Sequence, residues 1–338
     1  MSTAMSRAPR WARWLLPALL VAALLAVWLL HPPREAAPAE RVAPPKPGAP
    51  VVAPALRRIK SETLLYHVRS PQGVGLLPSV LGTATFKLTR DESQGEPQIV
   101  LQAAAKSNVY PYEATMTSRL SEADLAPLEF LNERTKKSYK CRWMSFRDGV
   151  VRYLKHKHCD APALCHNPRH LIPQKDGSLA HCADRKRCGN RDHFVWSLTA
   201  RHRPEGRVYD MLAGVYIPRG FDVVPGGPGR SFRVASNRAE FDVEVKAERE
   251  ETVTVPAGQI ACYKVAISST PANEEAKKDP EASDFFGLHG TTDLFVDKVT
   301  RQLVLVRAKI QLVISFDVEI VLVSRATEYL DGPPAAKP

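Results

Sequence analysis

Between His158 and His193 the chain carries one pattern twice, 23 residues apart. Each copy reads H-C-x5-C-x-N-x2-H. His158, Cys159, Cys165, Asn167 and His170 recur in register as His181, Cys182, Cys188, Asn190 and His193. The segment holds four of the six cysteines, so thiol and imidazole chemistry is concentrated here. Disulfides are the first chemistry that fits. Cys159 with Cys165, and Cys182 with Cys188, would each close a small loop, stabilising by about 2.4 kcal/mol on chain-entropy grounds. Pairing between the copies is equally open, and either scheme leaves the repeated histidines without a role.

Metal is the second chemistry. Each copy offers two thiolates and one imidazole, and His158, His181 or a residue of the other copy would complete a tetrahedral set. Closed cysteine–histidine sites of this kind are structural zinc sites. The module has few apolar side chains, so a metal would supply folding energy that a core cannot. A reactive site is the third reading, either a metal with an open position or a redox pair. Lys155, Lys157, Arg169, Arg185, Lys186, Arg187 and Arg191 flank the cysteines and favour thiolates, which suits all three readings. Asp160, Asp184 and Asp192 are the only nearby candidates for a general base. His156 and His166 are not duplicated and read as surface residues. Zinc is the one cofactor suggested, and the choice between sulfur bridges and metal stays open.

The rest of the chain must position this module. A length of 338 residues, 44% of them hydrophobic and 25% charged, allows one large or two ordinary domains with a real core. The net charge of +11 suits nucleic acid, anionic lipid or acidic glycan without choosing among them. Residues 1–13 carry Arg7, Arg10 and Arg13 and no acid, and residues 14–30 are an apolar run interrupted by Pro17. Trp11, Trp14 and Trp28 sit near its ends, where aromatic rings favour the membrane interface. The run reads as an uncleaved signal anchor, a single transmembrane helix in the inner membrane with its basic end cytoplasmic. Cleavage at Ala37-Pro38-Ala39 would instead release the protein to the periplasm. Residues 31–56 are a Pro/Ala-rich linker. Residues 57–331 are then an exported domain, 156–193 an insertion within it, and 332–338 a disordered tail. Export makes nucleic acid an unexpected partner and sulfur bridges a natural one.

The exported part reads as mainly β. Strands are expected at Thr63–Arg69, Val80–Arg90, Ile99–Lys106, Tyr112–Arg119, Leu128–Thr135, Ser138–Arg147, Val150–Lys155 and His193–Ala200. More follow at Ser231–Ala235, Glu240–Val255 and Gln259–Ser269. Asp148-Gly149 is a two-residue hairpin signal. One packing helix is expected at Val208–Ile217, stopped by Pro218. At the end, Val304, Val306, Ala308, Ile310, Leu312, Ile314, Phe316, Val318, Ile320 and Leu322 alternate with polar residues such as Arg307, Lys309, Gln311, Asp317 and Glu319. A period of two makes one face apolar and the other wet, and so long a run must turn near Gln311–Ser315. Its apolar face covers either plain core or a lipid-binding cavity. Cys141 and Cys262 read as buried small hydrophobes, or as a pair if their strands adjoin. His289, Asp293 and Asp297 read as strand-end surface.

Several stretches resemble a bacterial exported family known as domain of unknown function 3108. They are Glu62–Val68, Leu81–Phe86, the strand–turn–strand Glu250–Val265, the place of the helix at Tyr209–Tyr216, and the final hairpin from Thr292 through Val304–Leu322. The resemblance covers roughly 61–323 without the Cys/His module, which is not part of that family's pattern. It implies a curved antiparallel sheet, a half-barrel similar to periplasmic lipoprotein carriers of the LolA type, an envelope location and no established activity. The expected function is non-enzymatic binding of a lipid, another amphipathic ligand, or an envelope protein or glycan. A metal or thiol-redox protein and a ligand-free scaffold are the alternatives.

Overall fold

The computed structural model describes residues 54–71, 79–93, 95–109, 111–135, 139–158, 172–173, 179–180, 194–236, 238–278, 288–311 and 315–332. The basic amino terminus, the 14–30 run, the linker up to residue 53 and the tail from 333 lie outside them. So do Cys159, Cys165, His170, His181, Cys182, Cys188, His193, Leu312 and Ile314; His158, Ile310 and Phe316 are described as backbone alone. Among the described residues no helix is long and apolar enough to cross a membrane.

A helical turn, α1 (Pro54–Arg57), opens the fold, and its Leu56 is fully buried. Packing therefore begins inside the segment that composition marks as linker. The strands follow in sequence: β1 (Ile59–Arg69), β2 (Val80–Asp91), β3 (Gln98–Ser107), β4 (Glu113–Ser121), β5 (Pro127–Thr135), β6 (Tyr139–Arg147), β7 (Val150–His158), β8 (Ile172–Pro173), β9 (Leu179–Ala180), β10 (Phe194–His202) and β11 (Val208–Asp210). After the helix α2 (Met211–Tyr216) and a 3-10 turn at Ile217–Gly220 come β12 (Arg230–Ser236), β13 (Ala239–Val255) and β14 (Gly258–Pro271). A short α3 (Glu274–Lys278) precedes β15 (Leu288–Asp297), β16 (Leu303–Gln311) and β17 (Ser315–Tyr329).

Among the described residues fifteen strands make one open, curved sheet, in the order β10-β7-β6-β5-β4-β3-β2-β1-β17-β16-β15-β14-β13-β12-β11. Every pairing is antiparallel except β11 with β12. That exception has a mechanical cause: parallel neighbours need a crossover, and α2 with its 3-10 turn supplies it. The Asp148-Gly149 turn joins β6 to β7 with both residues at positive φ, 57° and 65°, as a tight hairpin of this type requires. Gln311 pairs with Ser315, so the long alternating run does turn where expected.

The sheet wraps around α2. The helix reads MLAGVY, apolar all round, and Leu212, Ala213, Gly214 and Tyr216 are buried. A helix without a polar face belongs inside, and here it shares one core with Leu88, Leu101 and Leu120 of β2–β4 and with Phe232 and Val243 of β12–β13. The two sheet edges are consecutive in sequence. Five residues join β10 to β11, and Arg207 among them donates to the Asp124 backbone at 2.7 Å and meets its carboxylate at 2.5 Å. His202 at the end of β10 also contacts Glu240 of β13.

The expectation of one wet face on β16–β17 needs correction. Leu305 and Val321 pair on the face opposite Val306 and Ile320, yet both are buried. The β13–β14 hairpin outruns its neighbour β15, and its end folds over this outer face. Val253, Val255, Ile260 and Cys262 pack with Phe295, Leu305 and Val321, and the Ala257 amide donates to the Leu322 carbonyl. Where the hairpin does not reach, the outer face is charged, and Glu319 lies between Arg69 and Arg307. Cys141 and Cys262 are both buried, on β6 and β14, which are not neighbours, so they do not bond to each other. Burial pushes the Cys262 thiol up to about 12, so it stays protonated.

Candidate functional site: an apolar cavity inside the sheet

Matched rows of side chains across β2, β3 and β4 determine where the interior is filled and where it is empty. On the inner face Leu88 faces Leu101, which faces Ser118. This row packs under α2, and Leu88 and Leu101 are fully buried. Four residues along each strand the inner row is Ala84, Ala105 and Ala114, again directly paired. Three methyl groups leave the space that three larger side chains would fill. The result is a cavity of about 610 Å3 between this alanine row, Gly214 and Val215 of α2 with Pro218 of the 3-10 turn, and the inner faces of β13–β17. That size falls within the roughly 300–1,000 Å3 of small-molecule sites. The far wall is aliphatic, with Val245, Val265, Ile267, Leu294, Val306 and Ile320. Its polar groups are Ser268, Ser269 and Thr292 at one part and Arg219 and Arg301 at another.

Arg219 is neutralised. Its guanidinium meets both oxygens of Glu62 at 2.6 and 2.9 Å, and both side chains are almost wholly buried. Gln302 donates to the same carboxylate at 2.8 Å and to Thr327 at 2.7 Å, while Arg325 joins Gln302 to Asp297. This network ties the 3-10 turn to β1, β17 and the β15–β16 turn. Arg301 lies in that turn at φ 57°. It donates to the Val223 carbonyl at 3.2 Å, and its guanidinium sits 4.8 Å from the centre of the Tyr263 ring. Asp297, read from the sequence as surface, is buried and caps the turn by accepting from Val299 and Thr300.

Asp210 positions the helix against the filled row. It caps α2 by accepting from the Leu212 and Ala213 amides, both at 2.9 Å, and Ser118 donates to its other oxygen at 2.6 Å. Complete burial raises its pKa from 3.8 to about 6, against the pull of those hydrogen bonds. A folded-state pKa above the unfolded one means the native protein binds the proton more tightly. Its contribution to stability is then full below about pH 4 and is lost as pH rises through 6. Compared with Asp210→Asn, the native protein should lose about 2–3 kcal/mol of unfolding free energy between pH 4 and 6.5. Parallel urea titrations of the two proteins check this, and identical pH profiles would contradict it.

Of the apolar residues singled out in sequence, Val306 and Ile320 line the cavity. Val304 and Val318 are buried in neighbouring clusters instead, Val304 beside Leu64 and Tyr66, and Val318 beside Val306 and Ala308. Sequence reading missed the alanine row and both arginines. The signal for the row was the small-residue run Ala103-Ala104-Ala105 in β3, with single alanines at 84 in β2 and 114 in β4. No comparable signal marks the arginines.

For the Cys/His module, the described backbone supplies only its supports. β7 and β10 pair up to His158 opposite Phe194, and β8 and β9 pair through Ile172 with Ala180 and Pro173 with Leu179. In sequence, each copy is therefore flanked by one strand of each ladder. Among the described residues no group of three His, Cys, Asp or Glu side chains is placed to hold a metal.

No protein-family description and no curated protein matches the chain. Among solved structures, a β-barrel-like protein of domain of unknown function DUF1849 from Brucella abortus is similar over 80% of this chain and 99% of its own, at 8% identity and TM-score 0.41. A protein described as a lipoprotein from Parabacteroides distasonis covers 80% of this chain and 96% of its own, at 7% identity and TM-score 0.30. A protein described as exported, with a YmcC-like fold, from Bacteroides fragilis covers 80% and 97%, at 11% identity and TM-score 0.30. At these scores the likeness assigns no function. The resemblance to the DUF3108 family and to LolA-type carriers finds no confirmation among them.

Proposed function

We propose that this chain is a non-enzymatic envelope protein that holds an apolar or amphipathic molecule inside its curved sheet. The cavity beside the alanine row carries the reading. An ordinary core packs to near-crystalline density and leaves few voids larger than a water molecule, whereas this interior keeps about 610 Å3 open. Its described lining offers the hydroxyls of Ser268, Ser269 and Thr292 but no Cys, His, Asp or Glu to activate them. The basic amino terminus and the apolar run at 14–30 support attachment to the inner membrane with the domain in the periplasm. Mass spectrometry of organic extracts from the purified full-length protein should find a stoichiometric lipid-class molecule. A protein free of extractable ligand that also fails to take up added lipid would refute the reading and leave an envelope scaffold.

A second reading concerns the duplicated module, as a structural metal site or a thiol-redox element. The in-register duplication of the motif supports it, together with two short ladders, β7 with β10 and the separate β8 with β9, that flank the copies in sequence. The residues are Cys159, Cys165, Cys182, Cys188, His158, His170, His181 and His193, with zinc the expected metal. Elemental analysis combined with a free-thiol count separates the cases. Bound zinc with four unreactive thiols supports the metal site; no metal and fully oxidised cysteines leave plain disulfides.

A further inference from the structure

We infer that the cavity takes a long-chain amphiphile with an anionic head group, and that Arg301 holds that head; this rests on reading the cavity as a ligand site. The β15–β16 turn does not need an arginine. It is closed by the Asp297 carboxylate on the Val299 and Thr300 amides at 2.7 and 3.0 Å, and by the Arg301 amide on the Asp297 carbonyl at 2.9 Å. Position 301 is left-handed, at φ 57°, where glycine or asparagine is at ease and arginine is strained. Strain of this kind gathers at functional positions.

The charge on that side chain is only weakly compensated. Arg219 and Glu62 cancel each other, and no acid lines the cavity among the described residues. The carboxylate nearest to Arg301, that of Asp222, is 3.8 Å away and 88% exposed, so water screens it. The Arg301 side chain is itself only 19% exposed. One of its five donors is spent on Val223. A guanidinium in an apolar wall with donors to spare favours an anion with two oxygens. Arg219 on the same lining is held by Glu62 through both terminal nitrogens, so Arg301 is the cation left to meet a ligand. A carboxylate and a phosphate share the required chemistry.

The test is displacement of a fluorescent long-chain carboxylic acid from purified full-length protein. The competitors are hexadecanoic acid, hexadecyl phosphate and hexadecanol, which share one tail. At least one anion should outcompete the alcohol by about 10- to 100-fold, as charge-assisted hydrogen bonds imply. Whichever anion wins tells whether the natural ligand is a free acid or a phospholipid-like molecule. Arg301→Gln should erase the preference and leave hexadecanol within about threefold of its original affinity, and Arg301→Lys should keep part of it. Equal binding of all three by the native protein would overturn the inference, as would a Gln variant that weakens all three alike. If none binds, the cavity reading itself falls. If the Gln variant fails to fold, the native head-group order and the Lys variant decide.

Discussion

Arg219→Met should lower the unfolding free energy by about 3–5 kcal/mol, because it leaves the Glu62 carboxylate buried without its cation. Glu62 is 2% exposed, and its remaining partner is the neutral amide of Gln302. The pair sits between β1 and the 3-10 turn, so its loss also loosens α2 against the sheet. Replacing both members, as Glu62→Leu with Arg219→Met, should recover most of the loss. Removing a buried pair together restores the desolvation that its attraction only offset. Urea denaturation of the native protein and the two variants gives the comparison. A single variant within about 1 kcal/mol of native would show that water reaches the pair.

Ala103→Phe should cut ligand occupancy at least tenfold while leaving the melting temperature unchanged or raised. Ala103 lines the cavity, pairing with Phe86 on one side and Met116 on the other. A phenyl ring there grows into empty space, so the usual cost of overpacking a filled core does not apply. The matching change two residues away behaves oppositely. Leu101 is fully buried in the filled row under α2, and Leu101→Ala should cost about 2–5 kcal/mol. Extraction with mass spectrometry reads occupancy, and thermal melts read stability. An Ala103→Phe protein that is destabilised by several kcal/mol and still carries its ligand would mean the space is not where the ligand sits.

Both experiments turn on contrasts that lie within single strands. β3 is leucine at 101 and alanine at 103 and 105, all on the inner face by register. Alternation shows which residues share a face, since side chains on a strand point to opposite sides in turn. It does not show what stands across from that face. α2 covers Leu101 and not Ala105, and that depends on a helix more than a hundred residues later, fixed by Asp210 on Ser118. The same limit explains β16–β17. Leu305 and Val321 lie in the continuous apolar runs Leu303–Val306 and Ile320–Val323, which mark both faces as buried there, but what covers the outer one, the overhanging β13–β14 hairpin, shows only in the structure.

From the residues alone came the β class, the Asp148-Gly149 hairpin, the turn near Gln311–Ser315 and the neighbourhood of the helix. These depend on contacts within a few residues: backbone sterics at positive φ, alternation along a strand, and the lost amide of Pro218. The duplicated Cys/His motif is likewise a property of the chain itself. Only the tertiary structure decided that the sheet curves round α2, that an alanine row leaves a cavity, and that Glu62 neutralises Arg219 while Arg301 meets only the exposed carboxylate of Asp222. Those outcomes join residues up to 240 positions apart, as Glu62 and Gln302 are. Burial and pairing at such separation follow from how the strands stack in space, which no local pattern encodes.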